Sequence, residues 1–112
     1  MTLAALRIPV LLVCLALLSL ATGCSEKSEQ ADKLISQATE LSQNGEPKQA
    51  IELIDRALQE SPDHVAGLVL RGRLLQQTGN PREASSDLRR AISLSPDSTE
   101  PLFLLADLYV TE

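Results

Sequence analysis

The sequence predicts an all-α chain of stacked helical hairpins, with five helices following a leading segment that is cleaved. Two observations carry this prediction. The hexapeptide Gly45-Glu46-Pro47-Lys48-Gln49-Ala50 returns 34 residues later as Gly79-Asn80-Pro81-Arg82-Glu83-Ala84. Each copy places a glycine able to adopt positive φ just past one helix, then a proline whose fixed φ suits the first turn of the next. Laid over each other without a gap, residues 31–64 and 65–98 share eleven identical pairs, from Leu34/Leu68 to Asp63/Asp97. They fall where a helix-turn-helix unit needs them.

The elements follow in order. Met1 to Gly23 reads as a secretory signal, with Arg7 ahead of an apolar run from Ile8 to Leu20. That run of thirteen residues is shorter than the ~20 needed for a membrane span. Residues 24–30 comprise Cys24 and a polar stretch, Ser25 to Gln30, that reads either as a tether or as an added turn of the first helix. Helix A1 is expected from about Ala31 to Asn44, with Leu34, Ala38 and Leu41 on one stripe. Helix B1 runs from Pro47 to about Glu60 and buries Ala50, Ile51, Ile54, Ala57 and Leu58. Pro62 ends it, and Asp63 is the expected N-cap of helix A2, His64 to Thr78. Helix B2 covers Pro81 to Leu94, where Asn80 and Glu83 have capping-box spacing. Residues 99–112 supply helix A of a third, incomplete unit, with Pro101 tolerated in its first turn. This last helix is apolar on nearly every side. The expectation is therefore that the chain is the front of a longer array, or that a second copy or a partner covers residues 99–110.

Charge narrows the partners. Without Arg7 the chain has nine basic and fifteen acidic residues, a net of −6, which argues against nucleic acid. Residues 31–64 carry net −4 and residues 65–98 net +2. The second unit therefore presents either an ordinary solvated helical surface or a basic patch of Arg71, Arg73, Arg82, Arg89 and Arg90 for an acidic partner.

The spacing of large and small positions resembles the tetratricopeptide repeat. The matching residues are Leu34, Ala38, Leu41, Gly45, Ala50, Ile54, Ala57 and Pro62 in the first unit. In the second they are Leu68, Gly72, Leu75, Gly79, Ala84, Leu88, Ala91 and Pro96, and in the third Leu102, Ala106 and Tyr109. Leu34 and Leu68 replace the usual aromatic, and Gln37 and Arg71 stand where leucine is common. The resemblance implies a right-handed superhelix whose A helices line a concave binding groove. The groove positions it implies are Asp32, Ile35, Thr39, Ser42 and Gln43, then Ala66, Val69, Arg73, Gln76 and Gln77, then Glu100, Phe103, Asp107, Val110 and Thr111. Ile35 and Val69 serve equally well as packing between helices. Repeats that clamp acidic chaperone tails carry lysine and asparagine where this chain has Ile35 and Thr39, so that activity is not implied.

Leu20-Ala21-Thr22-Gly23-Cys24 is similar to a bacterial lipobox, which implies lipidation of Cys24 and a membrane anchor through the N-terminal lipid. Ser25 after the cysteine points by the same resemblance to the outer rather than the inner membrane. Beyond Cys24 no thiol is left, so a fold outside the cytosol rests on its apolar core rather than on disulfides.

The residues offer no catalytic set. His64 is the only histidine and sits at a repeat junction, and there is no thiol nucleophile, phosphate loop or metal-ligand cluster. The expectation is no enzyme, no cofactor and no metal. The chain reads instead as a lipid-anchored scaffold for an envelope protein or peptide segment. The assembly it serves would be a secretion, pilus, outer-membrane, exopolysaccharide or peptidoglycan-enzyme complex. A self-associating structural module that pairs as a homodimer through residues 99–110 is the alternative, and a regulatory domain of a downstream enzyme a third.

Overall fold

The two glycine-proline turns fold as the same object. In the computed structural model, which describes residues 26–111, Gly45 has φ +80° and Gly79 φ +83°. Around each, two backbone bonds close the end of the preceding helix. Gly45 N–H donates to Ser42 (3.3 Å) and Glu46 N–H to Leu41 (2.9 Å), while Gly79 donates to Gln76 (3.3 Å) and Asn80 to Leu75 (2.8 Å). A left-handed residue just past the last turn lets those carbonyls find donors as the chain reverses.

The helices are α1, described over 26–43; α2, Pro47–Glu60; α3, Val65–Gln77; α4, Pro81–Leu94; and α5, Glu100–Thr111. Pro47 and Pro81 open α2 and α4, where a missing N–H costs nothing. Residues 26–30 are helical, so of the two readings the added turn of α1 is the one observed there. Nothing in Glu26 to Gln30 breaks a helix, and Lys33 meets Glu29 one turn away at 3.5 Å. The proposed signal segment and Cys24 lie outside the described residues. Among the described residues no helix is long and apolar enough to cross a membrane.

Two N-caps differ from expectation. The cap of α3 is His64, whose Nδ1 accepts from Gly67 N–H at 3.1 Å. Asp63 turns away to Arg90, 2.6 Å off, because an ion pair across the hairpins holds its carboxylate. Asn80 caps α4 by position only. Its amide donates to Thr78 Oγ1 at 3.3 Å, so no capping box forms with Glu83.

Packing follows the repeat. Within the first hairpin, Leu34 and Ala38 of α1 meet Ala50, Ile54 and Ala57 of α2 in one cluster that Leu70 and Leu74 of α3 close. In the second, Leu75 meets Ala84 and Leu88, and Leu68 meets Ala91. Small residues set the helix separation: a Cβ added to Gly72 would lie 2.8 Å from Leu88 Cδ2. Burying these side chains contributes roughly 25 cal/mol per Å² of apolar surface, the dominant stabilising term. Helix α5 packs on α4 and α3 through Leu104, Leu105 and Leu108.

The turns give a direct test. Nothing lies within 4 Å of a Cβ built on Gly45 or Gly79, so alanine there meets only backbone strain. Gly45→Ala and Gly79→Ala should each destabilise the chain by about 1–2 kcal/mol, read from thermal unfolding. Asparagine, which tolerates the left-handed region, should cost less at both positions.

Candidate functional site

Between α1, α3 and the first turn of α5 lies an open cleft of about 470 Å³. Ile35 and Thr39 come from α1, Val65, Ala66, Val69, Leu70 and Arg73 from α3, and Ser98 and Glu100 from the approach to α5. The floor is apolar because Ile35 and Val69 belong to the core as well as to the cleft. The rim is polar. The Thr39 hydroxyl donates back to the Ile35 carbonyl at 2.9 Å, and Arg73 is paired with Glu100 across the opening.

Of the groove residues read from the sequence, Ile35, Thr39, Val69 and Arg73 meet in this cleft. Gln76 and Asp107 meet each other instead, Nε2 to Oδ2 at 2.9 Å, and tie α3 to α5. Gln43 and Gln77 are exposed and lie outside the cleft lining, as does Phe103. Ala66 and Glu100, implied by the same repeat positions, also line the cleft, and Glu100 supplies the rim carboxylate, 27 residues from Arg73 along the chain.

Four of the five arginines of the expected basic patch are engaged within the molecule, and Arg82 is exposed. Arg90 is held by Asp63 and Arg73 by Glu100, while Arg89 donates to the Tyr109 hydroxyl. Arg71 is the most committed of the set. It donates through Nε and Nη2 to both oxygens of Asp87 at 2.7 Å and through Nη1 to Asp55 at 2.8 Å. Those bonds, Asp87's first, raise the guanidinium pKa above the ordinary arginine value, while burial pulls it the other way. Asp87 is itself buried, the only buried charged side chain among the described residues. The triad joins α2, α3 and α4. It was legible in part: Arg71 stands where leucine is usual, and Asp87 where the first repeat has Leu53.

His64 is less solvated than a loop residue. Its Nε2 faces Asp32 of α1 at 2.6 Å while Nδ1 caps α3, so the ring ties the first hairpin to the second. Among the described residues no group of three His, Cys, Asp or Glu could hold a metal ion.

Comparison with known families gives a tetratricopeptide-repeat match over residues 41–86 and another over 65–108. A similar solved structure is the second TPR of Spaghetti (RPAP3) bound to HSP90 peptide SRMEEVD. Its TM-score is 0.73 at 16% identity, covering 77% of this chain and 80% of that one. No curated protein matches.

The triad is testable by removing one partner and then both. Asp87→Ala leaves Arg71 half-buried beside Asp55 alone and should cost about 2–4 kcal/mol by urea unfolding. Arg71→Leu combined with Asp87→Leu should recover most of that loss, since well-packed apolar residues replace such pairs at little cost.

Proposed function

We propose, from the tetratricopeptide-repeat matches over residues 41–86 and 65–108, that this chain is a lipid-anchored adaptor of the bacterial envelope. It holds a peptide segment of an envelope protein in the cleft between α1 and α3. The cleft carries the reading. Its volume and its apolar floor with few polar rim groups suit a short extended segment, with one or two side chains set on Ile35 and Val69. The fold is of a kind that typically serves protein interaction without catalysis, and the solved neighbour holds a peptide. That peptide is acidic. Ile35 and Thr39 here favour a segment with apolar side chains and at most one acidic group, which would exchange with Glu100 on Arg73. An exposed pair such as Arg73 with Glu100 contributes only about 0–1 kcal/mol, so its exchange is cheap.

The anchor rests on Leu20 to Cys24 and on the apolar run before it. Acyl chains on Cys24 would hold the repeats at the membrane surface, each buried CH₂ adding about 0.8 kcal/mol. The residue after the cysteine, Ser25, supports the periplasmic face of the outer membrane. A tethered adaptor concentrates its partner near an assembling complex, which suits secretion, pilus, outer-membrane, exopolysaccharide or peptidoglycan-enzyme systems alike.

Two measurements bear on this. Cross-linking of the intact chain in membranes should recover a defined envelope protein, and Arg73→Glu should cut its yield roughly tenfold by reversing the rim charge. An unchanged yield would remove the cleft from the account. Cys24→Ser should lower the mass by the acyl groups and shift the chain from membrane to soluble fractions. If mass and partitioning both stay the same, the anchor is elsewhere.

A further inference from the structure

His64 joins the first hairpin to the second through both ring nitrogens, and the two bonds make opposite demands on a proton. Nδ1 lies 3.1 Å from the Gly67 N–H, which can only donate, so Nδ1 accepts with its lone pair. The ring proton is therefore on Nε2, 2.6 Å from Asp32 Oδ1 of α1. The joint holds a neutral ring in one tautomer. A second proton has only Nδ1 to go to, where it would face the Gly67 donor and the positive end of the α3 dipole. Asp32 would still attract the cation, but its side chain is 65% exposed, and pairs of that kind are weak.

The surroundings leave the ring few alternatives, since its side chain is only 14% exposed. Space at Gly67 is already filled. A Cβ built there would lie 3.0 Å from Ile35 Cδ1, 3.4 Å from Leu58 Cδ2 and 3.4 Å from His64 Nδ1, so α1, α2 and the cap meet at one backbone position. Asp32 is the charged group that faces the ring from α1, Leu58 is the side chain that α2 brings to the junction, and the first turn of α3 has no acidic residue. Asp63, next to His64 in the chain, is held by Arg90 of α4, and Lys33, next to Asp32, by Glu29.

We propose that the His64 cap is a pH-sensitive joint, which holds the cleft in shape while the ring is neutral and releases the first turn of α3 when the ring is protonated. That turn carries Val65 and Ala66 of the cleft lining, and Ile35 of the floor packs against Gly67. Histidine is the side chain whose charge changes between about pH 5 and 8, so the cap is complete at the upper end of that range and is lost as the pH falls. Control of binding by this joint rests on the cleft being the binding site, whereas the joint itself is read on the unliganded chain and stands or falls without a ligand.

The full chain, isotope-labelled and held in detergent micelles, is titrated by NMR from about pH 8 to about pH 5. At the upper end the His64 nitrogens should report the Nε2–H tautomer. On acidification the Gly67 amide should lose its hydrogen-bonded shift, and its hydrogen exchange, corrected for the intrinsic effect of pH, should accelerate at least about tenfold. The Ile35 and Val65 methyls should move with the same midpoint. His64→Asn supplies a cap that does not titrate, so in that variant Gly67 and both methyls should hold still across the range. An Nδ1–H tautomer at neutral pH overturns the proposal, as does a Gly67 amide indifferent to the titration of the ring, or a response that persists in His64→Asn. Methyls that stay fixed while Gly67 moves overturn the control of the cleft.

Discussion

Everything in this array depends on how closely the two helices of a hairpin approach. Leu88 lies so near Gly72 that a Cβ there would overlap it, and Ala38 is fully buried against the matching stripe of α2. Small residues on both sides of the contact allow the large ones, Ile54 and Leu88, to interlock at crystal-like density. That spacing then sets the angle at which the next hairpin stacks, because Leu70 and Leu74 of α3 must reach the cluster between α1 and α2. The cleft is a product of the same geometry. Its floor exists because Ile35 and Val69 pack between neighbouring A helices instead of within one hairpin.

The polar contacts add register to this packing. Arg71 and Asp87 occupy places that the first repeat fills with Gln37 and Leu53, so the second hairpin has exchanged an uncharged pair for a forked ion pair. Such a pair contributes little net stability, because desolvation of both charges offsets most of their attraction. What it supplies is direction. A guanidinium bonded to α4 on one side and to Asp55 of α2 on the other has few arrangements that satisfy all three groups. No buried side-chain polar atom among the described residues lacks a hydrogen-bond partner, so the network is complete as well as directional.

What the sequence disclosed and what it withheld divide along one physical line. The turns, the helix bounds and the buried stripes were readable because their causes are local: a glycine at positive φ, a proline at the first position, apolar side chains at helical spacing. The caps and the arginine partners were not, because their causes lie far along the chain. Asp63 was free to cap α3 only if Arg90 did not claim it, and the arginines formed a patch only if carboxylates from neighbouring hairpins stayed away. Yet these distant pairs are not arbitrary. Arg71 finds both its partners 16 residues off, and Arg73 and Arg90 find theirs 27 residues off. Those separations are what a 34-residue hairpin repeat brings together, so opposite charges at these spacings are a signal the period makes readable. Most of the cleft was legible for the same reason. Ile35, Thr39, Ala66, Val69, Arg73 and Glu100 follow from repeat positions, whereas Val65, Leu70 and Ser98 enter only through the packing of α1 on α3.

Helix α5 carries both a rim residue of the cleft and exposed apolar side chains. Glu100 on the rim of the cleft and Leu102 on the bare face are two residues apart on one rigid helix. Arg73 grips the first turn of α5 and Gln76 holds Asp107 nearly two turns further along, so the helix is pinned to α3 at two points. Their chemistries differ as their places do. The cleft joins an apolar floor to a polar rim that one exposed ion pair spans. The exposed side of α5 is apolar, with Leu102, Phe103 and Val110 open to solvent while both carboxylates of the helix are engaged by α3.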